Sequence, residues 1–101
     1  MVEELPRFRV VVTPAFIEDF TSAVHYIAYD LASPIAARNM RDGIQAKVDA
    51  LAVTPTASVS YATSRGELRH KVAYKRYEIH FVIEGATVRV LALKHQLQNA
   101  E

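Results

Sequence analysis

Two helix-start signals, Thr13-Pro14 and Ser33-Pro34, constrain this 101-residue chain more than any other feature it carries. A Thr or Ser oxygen can accept from the free N–H groups of a first helical turn, and proline placed there loses only an N–H that would have had no partner. Each signal is followed by apolar residues at helical spacing. Ile17, Phe20, Val24, Ile27 and Leu31 advance in steps of three and four, which predicts one helix from about Pro14 to Leu31. Ala36, Met40, Ile44, Val48 and Leu51 repeat the pattern. Pro55 stops this second helix at or before Thr54, because the residue preceding a proline is pushed out of the α region. With so short a connection the second helix must double back on the first, giving an αα-hairpin with one apolar side.

An apolar hairpin needs a second layer, and the flanking segments supply strands. Arg7 to Val12 (RFRVVV) is β-branched and aromatic and ends at the first helix signal. Thr54 to Gly66 (TPTASVSYATSRG) is polar, small and without period, and is taken as a long connecting loop. After it, Glu67 to Lys75, Tyr77 to Ile83 and Thr87 to His95 are β-rich runs divided by turns at Lys75-Arg76 and Glu84-Gly85-Ala86, the pattern of an antiparallel meander. Leu68, Val72 and Tyr74 alternate with outward residues, as do Tyr77, Ile79, Phe81 and Ile83 in the next run and Val88, Val90 and Ala92 in the last. The expected fold class is α+β with the order β-α-α-β-β-β: an antiparallel sheet with an N-terminal helical hairpin packed on one face. The length suits a single domain over residues 1–101.

Composition excludes several classes of function. The chain has no cysteine, so disulfide scaffolds and thiolate metal sites are ruled out and a reducing compartment suits it. The N-terminus carries Glu3, Glu4 and Pro6 where a signal peptide would be basic and then apolar, and no apolar run is long enough to span a bilayer, so a cytoplasmic location is expected. Net charge is only +1, yet it is unevenly spread. Residues 1–64 hold five Lys/Arg against seven Asp/Glu, whereas residues 65–101 hold seven against four, with His70, His80 and His95 in addition. The cationic half is suited to an acidic partner.

The element order and several fragments together resemble the RelE/ParE superfamily of bacterial type II toxins, which includes the ParE-like plasmid stabilisation proteins. The fragments are VVVTPAFIEDF running from strand into helix, YIAYDLASPIAA across the hairpin, LAVTP at its end, LRHKVAYKRYEIHFVI in the meander and VRVLALKH in the last strand. The resemblance implies a toxin that arrests growth, and an antitoxin that wraps and silences it in a toxin–antitoxin hetero-oligomer. It implies one of two targets as well: DNA gyrase for ParE-like members, or mRNA in the ribosomal decoding site for RelE-like endoribonucleases. A third reading is an inactive homologue that serves only to bind the antitoxin. No cofactor is implied.

Metal-free RNA cleavage needs a base for the 2′-hydroxyl, a cation for the phosphorane-like transition state and an acid for the leaving oxygen. The candidates are Arg69, Lys71, Arg76 and His95. Alternation puts Arg69, Lys71 and Lys75 on one face of their strand, opposite Leu68, His70, Val72 and Tyr74. That face is either a phosphate surface or a solvated sheet edge whose cations discourage aggregation. His95 is either a catalytic acid or base or an ordinary strand-end histidine. His70 and His80 could meet across a turn, but no carboxylate or cysteine stands at ligand spacing, so no metal site is expected.

Two departures count against catalysis. Many ribosome-dependent members carry an arginine where this chain has Glu78 after Tyr77, and a carboxylate cannot stabilise a phosphorane. Many also carry a tyrosine just after the final histidine, where this chain has Gln96, Leu97, Gln98 and Asn99. Tyr61, Tyr74 and Tyr77 stand as substitutes or as packing residues. The absences favour the ParE-like side. For the antitoxin, Arg38 and Arg41 on the second helix, together with Lys75, are the candidate partner-binding residues, with ordinary surface charge as the alternative.

Overall fold

The computed structural model describes residues 7–96; Met1–Pro6, Leu97, Gln98 and Asn99 lie outside the described residues, as do Ala100 and Glu101. The order is β1 (Arg9–Val12), α1 (Pro14–His25), a π-helical turn (Tyr26–Asp30), α2 (Pro34–Ala50), β2 (Val59–Ala62), β3 (Leu68–Tyr74), β4 (Tyr77–Glu84) and β5 (Thr87–His95). This is the expected α+β arrangement, with the hairpin and the meander in place. The sheet differs in two details. It has five strands in the order β1-β5-β4-β3-β2, and it is mixed, because β1 runs parallel to β5 with Val10 opposite Val88 and Val12 opposite Val90.

The fifth strand, β2, lies between Thr54 and Gly66, where the sequence predicts a loop. Its four residues pair antiparallel with β3, Tyr61 facing Arg69 and Val59 facing Lys71. Four residues in a polar stretch give no periodic signal, and the strand exists because β3 offers it a ladder and because Tyr61 is bonded across the sheet, as described below.

The first helix also departs from expectation. Phe16 is 3% exposed and Ile17 is 50% exposed, so the buried stripe is Phe16, Phe20, Ala23 and Ile27, one residue out of phase over the first two turns. Both stripes satisfy helical spacing; tertiary bonds choose between them. Thr13 caps α1 by accepting from the Phe16 N–H at 3.2 Å and donates its own hydroxyl to the Leu91 carbonyl at 3.1 Å. Asp19 accepts from the Leu93 N–H at 3.1 Å, beyond the point where β1 ends. These bonds lock the rotation of α1 against the free edge of β5. The helix then widens: Leu31 N–H donates to Tyr26 C=O at 3.1 Å, five residues back, which turns Leu31 out to solvent instead of extending the stripe.

The second helix buries Ala37, Met40, Ile44, Val48 and Leu51 over Ile79, Phe81, Val88, Val90 and Leu93, and these form the core. Ala37, not the expected Ala36, occupies the first position of that stripe. Gly43 lets α2 approach β3 closely: a Cβ there would collide with the ring of Tyr74, whose hydroxyl donates to the Asn39 carbonyl at 3.3 Å. Among the described residues no helix is long and apolar enough to cross a membrane.

Candidate functional site

Three surfaces gather the chemistry-bearing side chains. The first is a groove along the helical hairpin, about 440 Å³, lined by Phe20, Val24, Ala28, Tyr29 and Ala37 with Arg38 and Arg41 among its polar residues. These arginines stand three positions apart on α2, hence on one side of the helix. Arg41 pairs with the adjacent Asp42 at 3.2 Å, with both side chains more than half exposed, so the pair is weak and the guanidinium can be recruited. His25 and Tyr29 also line the groove, their rings tilted against each other with centres 4.4 Å apart.

The second is a cleft of about 470 Å³ between the hairpin tip and the end of the sheet. One wall is Tyr26, Ile27, Leu31, Ala36 and Met40; the other is Tyr74, Lys75, Arg76, Tyr77 and His95. The β3–β4 turn that carries the two cations is fixed by Gln96, whose N–H donates to the Arg76 carbonyl at 2.8 Å, and by Lys75 in a left-handed conformation. His95 packs edge-on against Tyr77 with ring centres 5.0 Å apart. Burial, and then the neighbouring Tyr26, push the Tyr77 phenol above its ordinary value, so it stays protonated near neutral pH.

The third surface is the sheet face turned away from the helices. His80, only 6% exposed, lies between Tyr61 and Glu78. Tyr61 Oη is 2.6 Å from His80 Nδ1, and His80 Nε2 is 3.2 Å from Glu78 Oε1. The carboxylate fixes the tautomer: Nε2–H donates to Glu78 and Nδ1 accepts from the Tyr61 hydroxyl. Lys71 Nζ sits 3.4 Å from Glu78 Oε2 and 5.7 Å from the centre of the Tyr61 ring. Burial works against ionising Glu78, but the charge of Lys71 and the hydrogen bonds from His80 and Lys71 outweigh it and hold the carboxyl below its usual range. Burial pushes His80 below the usual imidazole value despite Glu78, helped by Lys94 and Lys71, so it is neutral.

The candidate ribonuclease residues therefore do not share a site. Arg69 and Lys71 are on the outer face, Lys71 bonded to Glu78 and Arg69 Nε buried without a hydrogen-bond partner among the described residues. Arg76 and His95 line the cleft on the helix side. The candidate partner-binding residues divide as well, Arg38 and Arg41 in the hairpin groove and Lys75 in the cleft. His70 and His80 do not meet: the register pairs His70 with Phe81, which puts the two imidazoles on opposite faces. His70 stacks on Phe81 and lies 3.4 Å from the Ser58 hydroxyl. The Tyr61–His80–Glu78 chain escaped sequence reasoning, since its tyrosine comes from the unrecognised β2. The one available signal was Glu78 and His80 alternating outward on β4.

Comparison with known proteins fits this architecture. The family model for the ParE toxin of type II toxin-antitoxin system, parDE, matches residues 10–100. The chain belongs to the ParE toxin family. None of the curated proteins compared with this family member matches it. Among solved structures, a chain described as "Chromosomal ParDE TA system from P. aeruginosa" superposes with a TM-score of 0.70 at 15% identity, over 88% of this chain and 96% of that one. At that identity the likeness concerns the fold alone. This ParE-family chain thus has the family's helical hairpin and sheet, with its own set of side chains on the three surfaces.

Proposed function

We propose that this ParE-family toxin acts in the cytoplasm by binding, with DNA gyrase as its target, and carries out no chemistry of its own. The observation that carries this reading is the separation of Arg69 and Lys71 from Arg76 and His95 by the thickness of the sheet, with Glu78 bonded to Lys71. A phosphorane formed at either place would have half the required groups, and on the outer face it would also meet a carboxylate.

In this reading the antitoxin occupies the hairpin groove. Its apolar floor of Phe20, Val24, Ala28 and Ala37, with Arg38 and Arg41 beside it, suits an acidic amphipathic helix laid lengthwise. Such a helix would bring carboxylates to the guanidiniums and apolar side chains to the floor.

A ribosome-dependent ribonuclease is the second reading, favoured by one observation: Tyr61, His80 and Glu78 form a continuous proton path beside Arg69. Inducing the chain without its antitoxin separates the readings. The proposal expects growth arrest with relaxed plasmid DNA and intact mRNA. Cuts at codons in the ribosomal A site would instead favour the ribonuclease, and growth without arrest an inactive homologue.

A further inference from the structure

From the cleft between the hairpin tip and the β3–β4 turn we infer a binding site for a nucleoside phosphate, the base held among the cleft's tyrosines and the phosphate on Arg76 and Lys75. This site is distinct from the hairpin groove assigned to the antitoxin, and it does not depend on that assignment.

Four features converge there. The rings of Tyr26, Tyr74, Tyr77 and His95 line a single concavity, and flat π-faces beside cations are how proteins hold nucleotide units without reading their sequence. The rings are already oriented. Tyr74 is tied through its hydroxyl to the Asn39 carbonyl, and Tyr77 is braced by His95, so little side-chain freedom is lost on binding. The cations stand together on one wall: Lys75 Nζ lies 5.6 Å from the centre of the Tyr74 ring, and Arg76 follows it on a turn pinned by Gln96. A planar guanidinium can engage two phosphate oxygens at once.

The fourth feature is charge. None of the described residues lining the cleft is a carboxylate. Asp19, which lines the neighbouring hollow beyond Tyr77 and His95, is bonded to the Leu93 N–H. The apolar wall, with Met40 buried at its base, Ile27 half-buried and Leu31 and Ala36 at its exposed rim, suits a base better than a bare anion, and the cleft's volume of about 470 Å³ falls within the range of small-molecule sites. The π-helical turn makes this wall, since it sets Tyr26 towards the cleft while Tyr29 lines the hairpin groove.

The same chemistry could come from a free nucleotide or from the end of a single strand, and titrations followed by backbone amide NMR of the full chain distinguish them. AMP forms one arm and a 5′-phosphorylated trinucleotide the other, with adenosine, inorganic phosphate and an acidic peptide as controls. Saturable shifts at residues 26–31, 74–77 and 95 with AMP, weaker with adenosine or phosphate alone, are expected. Tighter binding of the trinucleotide would assign the site to a strand end, and equal or weaker binding to the free nucleotide. Arg76→Ala, on an exposed turn, should weaken AMP binding by roughly tenfold or more through loss of a charge-assisted bond. Tyr26→Ala should weaken AMP more than phosphate, while Arg41→Ala in the hairpin groove leaves both unchanged. No saturable shift at millimolar AMP, affinity unchanged in folded Arg76→Ala, or shifts at this cleft with the acidic peptide but not with AMP would each overturn the inference.

Discussion

At the scale of single residues, the outer face is governed by His80. Because burial lowers its pKa in the fold, the unfolded chain binds more protons than the folded one between the folded value and the ordinary 6.5. Stability therefore rises with pH through that window, is fully present above about pH 6.5, and is lost as pH falls towards the folded value. Glu78, also lowered, acts in the same direction below its ordinary 4.5. Thermal melts followed by circular dichroism should show a Tm that falls from pH 7.5 to pH 5, with a visibly shallower slope in His80→Gln; equal slopes would refute a buried neutral His80. Tyr61→Phe, which leaves Nδ1 without its donor, should cost about 1–3 kcal/mol in urea unfolding. Gly43 gives a sharper case. In an exposed helix alanine is better than glycine by about 1 kcal/mol, but here the added methyl meets the Tyr74 ring, so Gly43→Ala should destabilise by about 1–3 kcal/mol. A stabilised variant would mean that α2 and β3 are farther apart than described. Neither effect was legible in the sequence, since each arises from a partner brought in by register.

At the scale of elements, local chemistry is legible in the sequence and long-range choices are not. Thr13-Pro14 and Ser33-Pro34 do open the helices, although Ser33, unlike Thr13, makes no side-chain cap, and the turns at Lys75-Arg76 and Gly85-Ala86 do divide the meander. Which of two adjacent stripes α1 buries, whether β1 runs parallel or antiparallel, and whether Val59–Ala62 pairs at all depend on contacts between segments far apart in the chain. Asp19 is the test of that dependence. Its carboxylate satisfies the Leu93 N–H where β1 stops short, and Asp19→Ala should cost about 1–3 kcal/mol by leaving that donor unpaired. A change below about 0.5 kcal/mol, the range of ordinary surface substitutions, would show that the bond does not set the position of α1. The candidate site was legible as a set of residues but not as a place. Alternation put Arg69 and Lys71 on the side opposite Val72 and Tyr74, as found, but failed for Lys75, which lies past the end of β3 in a left-handed turn and enters the cleft on the helix side; nor could it show that His95 faces the helices.

At the scale of the whole molecule, the two helices cover one side of the sheet and divide the functional surface into a hairpin groove, a tip cleft and an outer face. If the groove takes the antitoxin, Arg38→Glu with Arg41→Glu should weaken antitoxin binding at least roughly tenfold, with the loss mainly in association rate and reduced at high salt. Isothermal titration or surface plasmon resonance would show it, and unchanged affinity would move the antitoxin elsewhere. The division of cations between the faces supports the proposal that this ParE-family chain poisons by occupancy instead of cutting RNA. Purified gyrase, relaxed plasmid and ATP, titrated with the purified chain, test that claim most directly. Dose-dependent loss of supercoiled product that persists in Lys71→Ala is expected. Full supercoiling at every dose, accompanied by cleavage of mRNA on translating ribosomes that Lys71→Ala abolishes, would contradict the proposal.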